Sequence, residues 1–319
     1  MIGVQTGAGL AGHADFGPLF RDWLEGRNGL GGASRELQTF YTVDVGARPA
    51  ARAWSAESWR EPWLASLLAD LPDETSRERT RRDVAALAAG DADVVITGQQ
   101  PGFLGGPLYT LYKVAAAVVL AEVRSAAGRP TLPVFWSGDD DDDIREALQP
   151  VVWDPQLGVL LRHEDHGRRG LGADRMVGSL RADEVAAGEA RWLGTMASRN
   201  DLARDLAGLW NEAVGRGDGW GSLQRRAMLR FFAGHGLLVV HGSDPLLHAA
   251  AAPFYERLWT ERDRLREAAR AGGNALTEAG YPAAVTEPSI QRFLHLGRDG
   301  RRQPLAANHA GELPPAEDL

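Results

Sequence analysis

One residue in this chain stands apart by its type. Of the 35 lysine and arginine residues, only one is lysine, Lys113. Arginine is a broad planar fork, whereas lysine is a compact point charge that reaches an anion in a tight site. Lys113 follows a loop rich in glycine and proline, Gly98-Gln-Gln-Pro-Gly-Phe-Leu-Gly-Gly-Pro107, and from Val94 to Ala121 it is the only charged residue. Leu108 to about Ala127 reads as a helix, and side chains on a helix lean toward its N-terminus. The Lys113 ammonium is therefore expected to aim back at the loop. With the amides of the loop and first helical turn it would cradle an anion or substrate. The residues of that cradle are Thr97, Gly98, Gln99, Gln100, Gly102, Gly105, Gly106 and Tyr109. The loop fits neither the dinucleotide fingerprint nor the P-loop. On spacing alone, a tight strand-to-helix turn that needs its glycines for geometry explains it equally well.

A second cluster is acidic, Asp139-Asp-Asp-Asp-Asp143. Neighbouring carboxylates repel by roughly 1–4 kcal/mol per close pair at surface-like dielectric. The run calls for a partner such as Mg²⁺, a cationic ligand group or arginine, or else it is a solvated loop. His163-Glu-Asp-His166 has two histidines but no third spaced ligand, a weak metal signal. His235, His241 and His248 read as solvated or core histidines. No Ser-His-Asp order and no G-x-S-x-G elbow is visible. The chain has no cysteine, which excludes disulfides, thiolate zinc and a cysteine nucleophile.

The elements that must position these residues follow from pattern. Asp93–Thr97 is a β-branched run of the buried-strand kind, Leu132–Trp136 is another, and Gly236–His241 a third. The first two flank the loop and helix, so a parallel crossover is expected. The loop and the acidic run would then lie at the carboxyl ends of parallel strands, where open α/β sheets place ligands. Val151–Trp153 and Val159–Leu161 read as further short strands. Ser222–Ala233 reads as an amphipathic helix, Pro253–Ala271 as one charged helix, and Ile290–Arg302 as a hairpin turning on Gly297–Gly300. The domain reading is a mostly helical N-terminal lobe over 1–90, a core over 91–161 and 222–319, and a helical insertion over 162–221. The net charge of −8 argues against nucleic acid as a partner. With 44% apolar residues the chain can bury a core. Neither a signal peptide nor a membrane-length apolar run is read, so a cytoplasmic location is expected.

The block Val95-Ile-Thr-Gly-Gln-Gln-Pro-Gly-Phe-Leu-Gly-Gly-Pro-Leu-Tyr-Thr-Leu-Tyr-Lys113 resembles the signature loop and helix of the bacillithiol biosynthesis cysteine-adding enzymes. Pro133–Trp136 with the acidic run, Phe232–Pro245, Gly280-Tyr-Pro282 and the terminal hairpin continue the resemblance in order. It implies an α/β fold, with a Rossmann-like nucleotidyltransferase-type core carrying helical insertions. It also implies a ligase that adds cysteine to glucosaminyl-malate, the last step in making this low-molecular-weight thiol. Amide formation requires an activated carboxylate, so ATP is the implied co-substrate, with Mg²⁺ as its companion. Lys113, Asp140, Asp141 and Asp143 are the implied catalytic set, the aspartates holding metal or the substrate's amine. The family's acidic motif, Glu-Asp-His-Asp, falls on residues 140–143, and Asp142 stands where the family has histidine. Relatives continue into a dimerising coiled coil that this sequence does not contain. Poor solubility or weak, concentration-dependent association is expected in place of a stable dimer. The alternative function is a non-catalytic binding protein that keeps the pocket.

Overall fold

The computed structural model describes residues 18–19, 60–69, 71, 73–148, 151–154, 159–162, 175–184, 201–283, 285–286, 289, 295–298 and 301–304. The His163–His166 motif and most of residues 1–59 lie outside that set. The chain divides into two compact units, one of residues 1–53 and 261–291, the other of residues 54–260 and 292–319. In the second unit the described order begins with helices α1 (Arg60–Ala69) and α2 (Glu74–Ala89), strand β1 (Asp93–Gln99) and helix α3 (Leu108–Ala126). It continues with β2 (Thr131–Ser137), α4 (Ile144–Leu148), β3 (Val151–Asp154) and β4 (Val159–Arg162). Then come α5 (Asp201–Arg216), α6 (Trp220–Phe231), β5 (Leu238–His241) and α7 (Pro245–Thr260). Helix α8 (Arg262–Glu278) belongs to the first unit, and the hairpin β6 (His295–Arg298) and β7 (Arg301–Pro304) to the second.

The centre is a parallel sheet in the order β1-β2-β5, the three strands read from the sequence. This is a Rossmann-like α/β arrangement with helices on the sheet. Period-two alternation assigns the faces. Leu132 and Val134 of β2, with Leu238 and Val240 of β5, pack against Trp63 and Leu67 of α1 and Val84 of α2. Phe135 and Val239 face the other way, against Val114 and Val118 of α3 and Met228 of α6. Phe135 is fully enclosed, and burying a side chain of that size contributes about 1.5–3 kcal/mol. Strand β2, covered on both faces, accordingly reads as an almost continuous apolar run.

Three expectations need correction. The sequence reads β1 as buried, but Val94 and Ile96 are exposed. They align with Leu132 and Val134, and no described strand lies beyond β1 to widen that face. The single helix expected over 253–271 is two, α7 and α8, separated at Glu261. Pro253 lies inside α7 rather than starting a helix. In the terminal hairpin Gly297 pairs with Arg302 and Arg298 with Arg301 inside the ladder, so the turn does not begin at Gly297. The further short strands read at 151–153 and 159–161 are present as β3 and β4, and they form their own antiparallel pair.

Local chemistry sets the ends of the helices. Asp73 accepts a hydrogen bond from the Ser76 amide and caps α2, and Gly90, at φ +78°, closes it. Pro107 sits at the N-cap of α3, one residue before the first helical turn. Among the described residues no helix is long and apolar enough to cross a membrane.

Candidate functional site

Three strand ends meet in register at the carboxyl edge of the sheet. Ser137, the last residue of β2, pairs with Gln99 on one side and His241 on the other. At a strand spacing of about 4.8 Å, this row is roughly 10 Å across. The loops that follow are tied together. The Gly138 amide donates to Gln99 O at 3.0 Å and the Gly242 amide to Ser137 O at 2.8 Å. This edge is the site's floor.

The first loop is fixed from within and from below. Phe103, Leu104 and Gly105 form a single 3₁₀ turn. The Phe103 ring sits edge-on to Trp210 at 5.0 Å and stacks near Trp220 at 6.4 Å. These rings belong to a cluster with Leu206, Leu223 and Ala227. The Trp220 indole donates to Pro101 O at 2.7 Å, and the Gln224 amide donates to Gln100 O at 3.2 Å. The glycines answer to close approach. A Cβ on Gly102 would lie 2.5 Å from the Gly106 backbone, and Gly105 and Gly106 adopt φ of +103° and +86°. The amides of Gly105 and Gly106 donate to Gly102 O and Phe103 O, so they hold the turn instead of facing a ligand.

The charge at this loop comes from Lys113. It reaches back from the second turn of α3 and donates to Gly98 O at 3.2 Å and Gln99 Oε1 at 2.9 Å. Its ammonium lies 5.2 Å from the centre of the Tyr109 ring, within cation–π range. Two of its three N–H donors are thus engaged. Thr97 lies one step back along β1, paired with Phe135. Gln100 Oε1 and Thr110 Oγ1 are buried and have no hydrogen-bond partner among the described residues. Lys113, Thr97, Gly98, Gln99, Gln100, Gly102, Gly105, Gly106 and Tyr109 therefore form one strand–loop–helix corner.

The acidic run leaves β2 on the same edge. The Asp140 carboxylate sits directly against the Gly242 backbone, where a Cβ would collide with it. It also bears on Tyr255 of α7, whose phenol is pushed up from its ordinary range, chiefly by burial and secondarily by Asp140. Asp141 accepts from the Asp142 amide at 2.8 Å, Asp142 is exposed, and Asp143 O accepts from the Ala147 amide as α4 begins. Among the described residues no group of three or more His, Cys, Asp or Glu side chains is placed to hold a metal ion.

Sequence reasoning passed over the most enclosed acid among the described residues. Asp139 is 3% exposed. Its carboxylate accepts from the Ser243 amide and from Ser243 Oγ, both at 2.8 Å, and meets His241 Nδ1 at 2.9 Å. Gly221, in the first turn of α6, packs so closely that a Cβ there would stand 2.9 Å from Asp139 Oδ2 and 3.3 Å from His241 Nδ1. The helix N-terminus thus faces the carboxylate and favours its charge. His248 lies beside it, with Nε2 against Gly242 O. The available signal was positional, a histidine closing one apolar strand and an aspartate two residues past the end of another.

A parallel sheet with a lysine-tipped glycine loop at its carboxyl edge defines a Rossmann-like α/β protein. Over residues 32–313 the chain matches the family described as Bacillithiol biosynthesis BshC, N-terminal Rossmann-like domain. It belongs to the BshC family. It is similar to proteins named "Putative cysteine ligase BshC". The one from Salinibacter ruber is 31% identical over 268 residues, which are 82% of this chain and 48% of that protein. The one from Shouchella clausii is 27% identical over 238 residues, 72% of this chain and 42% of that protein. The one from Bacillus licheniformis is 23% identical over 299 residues, 89% and 52% respectively. The chain spans about half the length of the curated relatives it matches.

Proposed function

We propose that this chain is the Rossmann-like part of a cytoplasmic cysteine ligase that joins cysteine to glucosaminyl-malate in bacillithiol biosynthesis. The cysteine carboxylate is activated by ATP, and the glucosaminyl amine then forms the amide. The observation that carries this reading is the Lys113 ammonium, drawn back onto Gly98 and Gln99 at the carboxyl edge with one N–H left for an anion. Lys113 holds a phosphate or carboxylate oxygen there, against the corner formed by Thr97, Gly98, Gln99, Gln100, Gly102, Gly105, Gly106 and Tyr109. The rigid glycine turn keeps bulk away from the bound group. ATP supplies the leaving group, and Asp140, Asp141 and Asp143 attract the substrate's ammonium. The names of the similar proteins support the same reaction class.

One observation favours a second reading, a binding protein without turnover. Asp142 replaces a histidine that would donate to a phosphate, and an aspartate at neutral pH does not. A single experiment separates the two. The purified chain is incubated with ATP, cysteine and glucosaminyl-malate, and amide product and ATP consumption are followed. Product that requires all three supports the ligase. Saturable binding of ATP or glucosaminyl-malate without product supports the binding protein.

A further inference from the structure

We propose that His241 is the proton acceptor for the amine nucleophile and that Asp139 is its positioning residue. This rests on the ligase reading above. It concerns a pair of side chains that the loop and the acidic motif leave unassigned.

The geometry is that of an oriented imidazole. Asp139 is held on three sides, by the Ser243 amide, by Ser243 Oγ and by His241 Nδ1, and its side chain is 4% exposed. With that carboxylate as acceptor, Nδ1 is the protonated ring nitrogen and Nε2 carries the lone pair. The Nδ1–Cε1 edge of the ring is packed on Gly221. The His241 side chain nevertheless remains 18% exposed, and Nε2 has no hydrogen-bond partner among the described residues. One ring nitrogen is closed by a buried carboxylate and the other is open at the edge where the three loops meet. His241 stands in register with Ser137 and Gln99, roughly 10 Å across the sheet from the residue that holds Lys113. That separation suits two groups of one substrate pair, an anion at one end and an amine at the other.

The step balances as follows. The amine nitrogen bonds to the carbonyl carbon of the activated carboxylate. The carbon–oxygen bond to the phosphate-type leaving group, derived from the nucleoside triphosphate, breaks with its electron pair on oxygen. The surplus proton on nitrogen passes to His241 Nε2, and the imidazolium so formed is stabilised by Asp139.

The test uses the whole chain and three variants, His241→Gln, His241→Ala and Asp139→Asn, each checked for native circular dichroism. In single turnover, His241→Gln is expected to slow amide formation about 100-fold or more. KM for glucosaminyl-malate and cysteine-dependent ATP consumption should stay close to those of the native chain. Added imidazole should restore part of the rate to His241→Ala, which a merely structural role would not permit. Asp139→Asn should lose rate in the same step. A His241→Gln protein that makes amide at the native rate overturns the proposal, as does one in which activation and amide formation fall together. If the native chain makes no amide, it is the ligase reading that fails. The pair is then judged by diethyl pyrocarbonate, with modified peptides identified by mass spectrometry. Carbethoxylation of His241 that slows in Asp139→Asn sustains the oriented base, and an inert His241 in the native chain overturns it.

Discussion

At the scale of single residues, the difference between lysine and arginine carries the argument. Lys113 Nζ fits between Gly98 O and Gln99 Oε1 at 3.2 and 2.9 Å, a span suited to one small cation. A guanidinium there would push its fork past both acceptors. Lys113→Ala is expected to abolish binding of inorganic pyrophosphate, used as a probe of the corner, while leaving the melting temperature nearly unchanged, because the side chain is exposed. Lys113→Arg should recover little of that binding. Calorimetric titration against both variants checks this, and full recovery by arginine would remove the case for a tight cradle. Lys113 was legible in the sequence because its type is unique in the chain. Asp139 and His241 were not. They meet across a sequence separation of 102 residues, and no local pattern announces a contact between two strand ends that only the sheet order brings together.

At the scale of elements, the corner between β1 and α3 was readable because each device acts within a few residues. Its parts are a β-branched run, a glycine-proline loop and an apolar helix opened by proline. The two glycines with positive φ admit few substitutes. Gly102 is the sharper case, since a methyl there meets the Gly106 backbone at 2.5 Å and not a side chain that can move aside. Gly102→Ala should therefore open the 3₁₀ turn and cost more ligand affinity than Gly90→Ala, whose Cβ would meet nothing within 4 Å. Pyrophosphate titration of the two variants compares them. The break at Glu261 was not readable, because neither glycine nor proline stands near it to end a helix. The segment after β4 contains another local device. Arg175 holds Glu184 with two hydrogen bonds, at 3.2 and 2.8 Å, and the Arg181 amide adds a third. Arg175 is the largest cause that keeps the Glu184 carboxyl below its ordinary value. A depressed carboxyl stabilises the fold above its unfolded pKa, and the contribution is lost as pH falls through the folded value. The native chain should therefore lose melting temperature more steeply than Glu184→Gln on acidification from about pH 5 to pH 3. Equal slopes in thermal melts across that window would show that the contact adds nothing to stability.

For the unit of residues 54–260 and 292–319, the sheet's two faces are covered unequally. Helices α1 and α2 cover β2 and β5, whereas Val94 and Ile96 on β1 remain open. The helix that carries Lys113 packs on the other face of the sheet and has an exposed apolar surface of its own. On α3 the outward positions Leu108, Tyr112, Val119, Leu120 and Val123 follow three- and four-residue spacing, and Tyr112 and Val123 are 69% and 60% exposed. The opposite stripe, Val114, Ala117, Val118 and Ala121, is buried. A helix apolar on both sides gains nothing from water on its outer face, and contiguous apolar surface of more than a few hundred Å² drives association. The outer face of α3 is the surface expected to adhere. The chain is expected to associate weakly, with a weight-average mass in sedimentation that rises with concentration. Leu120→Lys combined with Val123→Lys should hold it monomeric. These two side chains point away from the core, so the melting temperature should not fall. A native chain that stays monomeric at every concentration, or a double variant that associates as before, would mean that α3 is not the adhesive surface.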